Sequence, residues 1–294
     1  PTLDKFREIW KAKYLGGYIV HSQAFEGLVG NFPIGFLIWD TSRPEPISSL
    51  CTTVLDKNGQ SIGEKRVANI DGDKLLTDWV ERPPSNDVDV VPLKNAVTPA
   101  TASKDLRGTR WSNNALAWLN CACNDLQNAS DKTMLFSSGY GSARGFFVTA
   151  ENLWQAAIVF AVRRLIKPTW LNDRDQFLQP SLPLSEAFQT DCLIWMLFNG
   201  SNLSAGADGL EWQGKSWSLV NHFVPFTEAE VGAAARFESH FMSDYLAAKK
   251  ASLSPEAQAV LAAGRALWQR YHATQFEKKT RDEFKLGRPD VGWY

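Results

Sequence analysis

The stretch GYIVHSQAFEGLVGNFPIGFLIWDT, Gly17 to Thr41, decides how this chain is read. It parses into two strands joined by a long loop. Tyr18, Ile19 and Val20 form a short β-prone run, and Ile34 to Trp39, preceded by Pro33, form an almost wholly apolar one. A strand without polar alternation fits burial on both faces, in a sheet with layers on either side. Few strands lie nearby to build such a sheet, so partner strands are expected from elsewhere. The chain begins at Pro1 with no Met, and Leu3 to Tyr14 reads as an amphipathic helix already under way. The expectation is a fragment that enters a fold part-way.

The whole chain of 294 residues suffices for one large or two ordinary domains. With 44% hydrophobic and 21% charged residues it reads as globular, not disordered. A net charge of −1 argues against a wholly basic nucleic-acid coat and leaves room for a local basic face. Cys121 and Cys123 are separated by one residue and have no matching second pair, so a structural zinc site is not expected. Reduced thiols, no run of about 18 apolar residues and no signal peptide point to a cytoplasmic protein that does not enter the membrane.

Beyond the opening stretch, Ser42 to Ser49 reads as a Pro/Ser linker and a first boundary. Asn58-Gly59 between Cys51–Leu55 and Lys65–Ile70 signals a β-hairpin. Residues 82 to 110 read as irregular structure. The cluster Lys104, Arg107 and Arg110 beside Trp111, Asn113 and Asn114 has the residue types of phosphate and base contact. A solvated loop around a buried Trp is the plainer reading. Gly139 to Gly145 mimics a dinucleotide fingerprint but is followed by strand residues Phe146 to Val148, so a turn between strands is expected.

Thr149 is a candidate N-cap for a core helix to about Ile166, closed by Pro168. Arg163 and Arg164 in its last turn, with Lys167 beyond, suit the helix dipole. They also stand next to Trp170, Asn172, Arg174 and Gln176, which alternate and in an extended segment would share one edge able to meet bases and phosphates. A second core helix is expected from about Ser185 to Phe198, and a hairpin near LEWQGKSWSLV. Thr227 and Glu230 form a capping box for a helix to about Lys250, and Ser254-Pro255 opens another to about His272. These last two read as an antiparallel pair, with an apolar stripe of Val260, Leu261, Leu267 and Trp268 on the final helix.

The segment AFEGLVGNFPIGFLIWDT, with helix and strand before it and a buried strand at its end, resembles the close of the catalytic domain of amino-methylating DNA methyltransferases. More closely it resembles large bacterial adenine-specific DNA methylases of restriction-modification type. The resemblance continues in patches through TWLNDRDQFLQP (169–180), HFVPFTEAEVGAAARFESHFM (222–242) and AVLAAGRALWQRYH (259–272). It implies an α/β fold: the last helix and strands of a Rossmann-like methyltransferase sheet, followed by an α+β C-terminal, target-recognition-like region. On that reading residues 1–41 end the catalytic domain, 42–49 are linker, 50–180 a mixed strand-rich region and 181–294 a mainly helical region. The family places an aromatic side chain on the flipped adenine before the final strand; here that is Phe25, with Phe32 as second choice. Arg163, Arg164, Lys167, Trp170, Asn172 and Arg174 are the expected DNA-binding residues. Partners would be double-stranded DNA and an N-terminal catalytic segment that holds S-adenosylmethionine.

Two departures limit this. The family's Phe-x-Gly-x-Gly cofactor loop is not in the chain. Nor is Asn/Asp-Pro-Pro-Tyr/Phe: the sole Pro-Pro is Pro83-Pro84, between Arg82 and Ser85. The chain is not expected to methylate DNA alone, and it supplies no catalytic, cofactor or metal residue. The other class of reading is a non-catalytic DNA-binding or protein-interaction module. A third, a Trp-rich carbohydrate binder, would need Trp on a flat β-face. Asp173 and Asp175 invite comparison with nuclease carboxylates, but the lysine motif that accompanies such a pair is not recognisable in the neighbouring sequence.

Overall fold

A computed structural model of the chain describes residues 9–68, 74–83, 114–121, 124–136, 145–204, 206–212 and 214–274. It is a mixed α/β structure with one mixed and one largely antiparallel four-stranded sheet, a two-stranded ribbon and seven α-helices among the described residues. The chain divides into two compact units, each discontinuous in sequence. The basic cluster at 104–113, most of the Gly139–Gly145 turn and the first part of the helix expected over Leu3 to Tyr14 lie outside the described residues. The end of that expected helix is corrected: residues 10–12 are not helical, and Lys13 and Tyr14 open a strand.

The first unit comprises 1–74, 125–127 and 167–176. Its sheet has the order β2-β1-β3-β4, from β1 (Lys13–His21), β2 (Pro33–Asp40), β3 (Ser49–Leu55) and β4 (Ser61–Ala68). β1 and β2 form the antiparallel hairpin legible in the opening stretch, pairing Tyr18 with Phe36 and His21 with Pro33. The β3–β4 hairpin closes where Asn58-Gly59 demands it. Gly59 sits at φ 77°, and the Asp56 carboxylate accepts from the amides of Asn58 and Gln60. β1 and β3 run parallel, matching Ile19 with Val54. The stretch at 42–49 therefore joins two strands of one sheet and is not a domain linker, and the boundary at residue 41 is corrected accordingly.

The apolar run of β2 was expected at the centre of a sheet. Here it is an edge strand, and Phe36, Leu37 and Ile38 are 41%, 40% and 62% exposed. Successive strand residues face opposite sides, so apolar groups are open on both faces of β2.

The second unit holds 75–124, 128–166 and 177–294. Its sheet, β7-β5-β6-β8, comes from β5 (Ala117–Cys121), β6 (Thr133–Phe136), β7 (Gly145–Val148) and β8 (Asn202–Leu203). β9 (Ala207–Trp212) and β10 (Lys215–Leu219) make the expected ribbon. The helices are α1 (Leu76–Trp79), α2 (Ala129–Lys132), α3 (Leu153–Leu165), α4 (Glu186–Phe198), α5 (Glu228–Val231), α6 (Phe241–Ala248) and α7 (Pro255–Ala273). Ala156 to Ala161 of α3 are all buried, as an all-round apolar helix requires. α3 packs directly on α4, across the boundary expected at 180/181. Ser185 caps α4 by accepting the Phe188 amide at 3.2 Å.

The helix expected from Thr227 to Lys250 is interrupted. Its capping box forms, but Gly232 adopts φ 69° and ends α5 after one turn. The Glu228 carboxylate then accepts from the Phe237 amide at 2.6 Å and binds His240 Nε2 at 2.9 Å, folding the following segment back. α7 packs on α4 and α5, with Ala257, Leu261 and Gly264 as its buried line. Val260 and Leu267 of the expected stripe are exposed.

Candidate nucleic-acid interface

The register of the first unit's sheet assigns its side chains to two faces. Ile19 and His21 share one face with Val54, Gly63 and Lys65; Tyr18 shares the other with Phe36. The segment 167–176 lies against the first of these faces. The His21 and Trp170 rings approach to 4.0 Å between centroids. Leu171 packs over Gly63, where an added Cβ would come within 2.9 Å of Leu171 Cδ2 and where φ is 146°. Lys65, its side chain only 10% exposed, reaches Asp175 Oδ1 at 2.5 Å and donates to the Asp173 carbonyl at 2.6 Å. The short piece 125–127 completes the arrangement: Asp125 pairs in an antiparallel bridge with Gln176, and the Leu126 amide donates to the Asp175 carbonyl.

This arrangement corrects the expectation of an extended recognition edge. Residues 170–174 form turns, and Arg174 takes a left-handed φ of 64°. The amide of Asn172 is spent on the turn itself. Its Oδ1 accepts from the Thr169 amide and hydroxyl, and its Nδ2 donates to the Lys167 carbonyl at 3.3 Å. Asn172 is thus a turn-former, with its amide oxygen and an N–H engaged within the turn. Trp170 is half-buried against His21. Arg174 Nη1 meets Asp125 Oδ2 at 3.3 Å, yet the side chain stays 52% exposed, with donors beyond that pair. Lys167 is exposed.

Arg163 and Arg164 belong to the second unit. Arg163 is fully buried; its Nε donates to Thr133 Oγ1 at 2.9 Å, and its guanidinium lies 5.9 Å from the Phe177 ring centre. A side chain so enclosed does not meet a phosphate, and the DNA-contact role expected of it is corrected to a core role. Arg164, half-buried, donates to the Ser130 carbonyl at the start of α2. Its position next to Lys167 in sequence had suggested a shared cationic patch.

The two expected stacking residues sit in the loop between β1 and β2. That loop is held by Ser22, fully buried, whose hydroxyl donates to the Gly30 carbonyl at 2.6 Å and whose amide donates to the Phe32 carbonyl at 3.0 Å. His21 Nδ1 accepts the Gln23 amide at 3.0 Å, opening a 3₁₀ turn that delivers Phe25. Phe25 is 38% and Phe32 40% exposed. The Phe25 ring lies 6.0 Å from Phe36, which stacks on Tyr18 at 5.0 Å, so the sheet's second face carries an open aromatic row. Gln127 Nε2 donates to the Asn31 carbonyl, tying the same loop to the 125–127 piece. His21 therefore links the aromatic loop, through its ring nitrogen, to the 167–176 turn, through its ring face. No local sequence signal marks His21 for this position, because Trp170 lies far along the chain.

Asp173 is buried, and loss of solvent pushes its carboxyl above the usual carboxylate range, against the pull of Arg174 and Lys65. Among the described residues no group of three or more His, Cys, Asp or Glu is placed to hold a metal ion. No family model, no curated protein and no solved structure matches the chain. Among the described residues no helix is long and apolar enough to cross a membrane.

Proposed function

We propose that this chain is the C-terminal part of an adenine-specific DNA methyltransferase, acting in a restriction-modification or related defence system. The observation that carries the reading is β2. It is a strand whose consecutive apolar residues are open on both faces and along its outer edge, joined by a loop that presents two exposed phenylalanines. Free apolar edges are avoided in proteins that stand alone. A β2 completed by strands and helices of a methyltransferase catalytic domain becomes the central strand that its composition describes. Phe25, with Phe32 behind it, is then available to pack on a base drawn out of the duplex. Lys167 and Arg174, on the turn tied to the same loop through Trp170 and His21, meet phosphates. The catalytic domain supplies the S-adenosylmethionine site and the residues that hold the adenine amine; this chain supplies aromatic stacking and part of the DNA surface.

The test is methyl transfer by the chain joined to its catalytic segment, on duplex DNA with labelled S-adenosylmethionine. Phe25→Ala should lower transfer by about one to two decades, since stacking on a base is worth roughly 1–3 kcal/mol. Cofactor binding and melting temperature should be unchanged, because Phe25 is not a core residue. A folded Phe25→Ala protein with full activity rejects the stacking role. DNA binding without any transfer assigns the chain to a non-catalytic module instead.

A further inference from the structure

The turn that carries Lys167 and Arg174 has little reason of its own to hold one shape. It contains no regular helix or strand, and Arg174 sits at a φ that side-chain-bearing residues seldom adopt. What seats it is a lysine more than 100 residues earlier in the chain. Lys65 stands on β4 with its side chain 10% exposed, against 43% for Asp175, and that single charge grips the turn twice, at the Asp175 carboxylate and at the Asp173 carbonyl. An ammonium held by two oxygens, one of them charged, has a more closely set direction than one in a single surface pair. Gly63, two residues before it on the same face, leaves the hollow that Leu171 fills.

We infer that the Lys65–Asp175 pair is a positioning device for DNA recognition: it fixes the 167–176 turn on the sheet so that Lys167 and Arg174 present their charges together to the phosphate backbone. The inference rests on the DNA-facing role proposed above for that turn. Neither Lys65 nor Asp175 touches DNA.

Asp175→Asn gives a sharp test, because two explanations predict opposite signs. Removing a carboxylate near a DNA surface raises affinity if only net charge matters. If the pair positions the turn, affinity falls although the protein has become more positive. Binding of the 294-residue chain to a duplex is measured by fluorescence anisotropy over a range of salt concentrations. The expected result is affinity roughly three- to eightfold weaker near 0.1 M salt, up to the share of one phosphate contact, with a shallower salt slope. Asp175→Glu, which keeps the charge but lengthens the arm by one methylene, should weaken binding in the same way. It stands as the second variant if Asp175→Asn does not fold. Unchanged or tighter binding by folded Asp175→Asn, or unchanged binding by folded Asp175→Glu, overturns the inference. Lys167→Ala and Arg174→Ala keep the two claims apart. If they weaken binding while the Asp175 variants do not, only the positioning role fails. If they leave binding unchanged, the DNA-facing turn fails and the positioning role with it.

Discussion

Arg163 offers the clearest confrontation between what a sequence suggests and what burial dictates. A cation in the last turn of α3, followed closely by Lys167, looks like a phosphate ligand, but no part of its side chain is open to solvent. Replacing it with Ala removes a charge-assisted hydrogen bond to Thr133, worth about 1.5–3 kcal/mol. It also removes the contact with the Phe177 ring, worth about 0.5–2 kcal/mol. The change also leaves a cavity beside Thr133, whose hydroxyl keeps its bond to the Ala129 carbonyl at 2.6 Å. The expected loss is about 3–5 kcal/mol once the cavity is added to these two contacts. At about 2–4 °C per kcal/mol, melting should fall by roughly 6–20 °C. Arg163→Met, which keeps the apolar stem, should recover part of that loss. Circular-dichroism melting of both variants, with DNA affinity measured below the transition, decides the matter. A melting temperature within about 2 °C of the parent together with a several-fold loss of DNA affinity would refute the core assignment.

Other expectations follow from the helical part of the second unit. Gly264→Ala would place a methyl 2.2 Å from Phe198 Cε1, forcing α7 away from α4; the overpacking should cost about 1–3 kcal/mol, read from urea midpoints. Hydrogen bonds from Lys249 and then Ser252 hold the Glu186 carboxyl below its ordinary value of 4.5. A depressed carboxyl contributes stability above its unfolded pKa and loses it as pH falls through the folded one, so this contribution should be complete at neutral pH and be lost as the pH falls below the ordinary carboxyl value. Glu186→Gln should flatten that acid limb in a melting series against pH. Burial pushes the Cys192 thiol up to about 12, so maleimide at pH 8 should leave it unlabelled in the folded protein and label it after unfolding, while exposed Cys51, its own thiol raised by partial desolvation and by Glu64, labels in the folded protein as well. Peptide mapping by mass spectrometry reads the difference.

What could be read from the sequence was local chemistry. Asn58-Gly59 closes a hairpin, Ser185 caps α4, Pro255 opens α7, and the apolar centre of α3 is core, because each signal acts within a few residues of itself. The capping box at Thr227 was also legible, but the length of the helix behind it was not. Gly232 and the grip of Glu228 on Phe237 and His240 end it, and that grip depends on tertiary folding. The parallel match of β1 with β3 was invisible for the same reason: a Pro/Ser stretch has the composition of a linker whether it separates domains or crosses over a sheet. At the candidate interface, Phe25 and Phe32 were named only through the family resemblance. His21, Gly63 and Lys65 were not marked, since each acquires its role only from a segment far along the chain. Alternation of Trp170, Asn172 and Arg174 was misleading, because Asn172 makes a turn that destroys the extended geometry on which alternation depends.

The lysine clasp also sets a timetable for synthesis. Lys65 leaves the ribosome 108 residues ahead of Asp173, whose carbonyl it holds. At roughly 5–20 residues per second, the β1–β4 sheet waits about 5–20 s before its cover arrives, with the face that carries Gly63 and Val54 open to any other strand or chaperone that finds it. Slowing translation between the two segments should therefore lower the yield of soluble protein more than slowing it after residue 176.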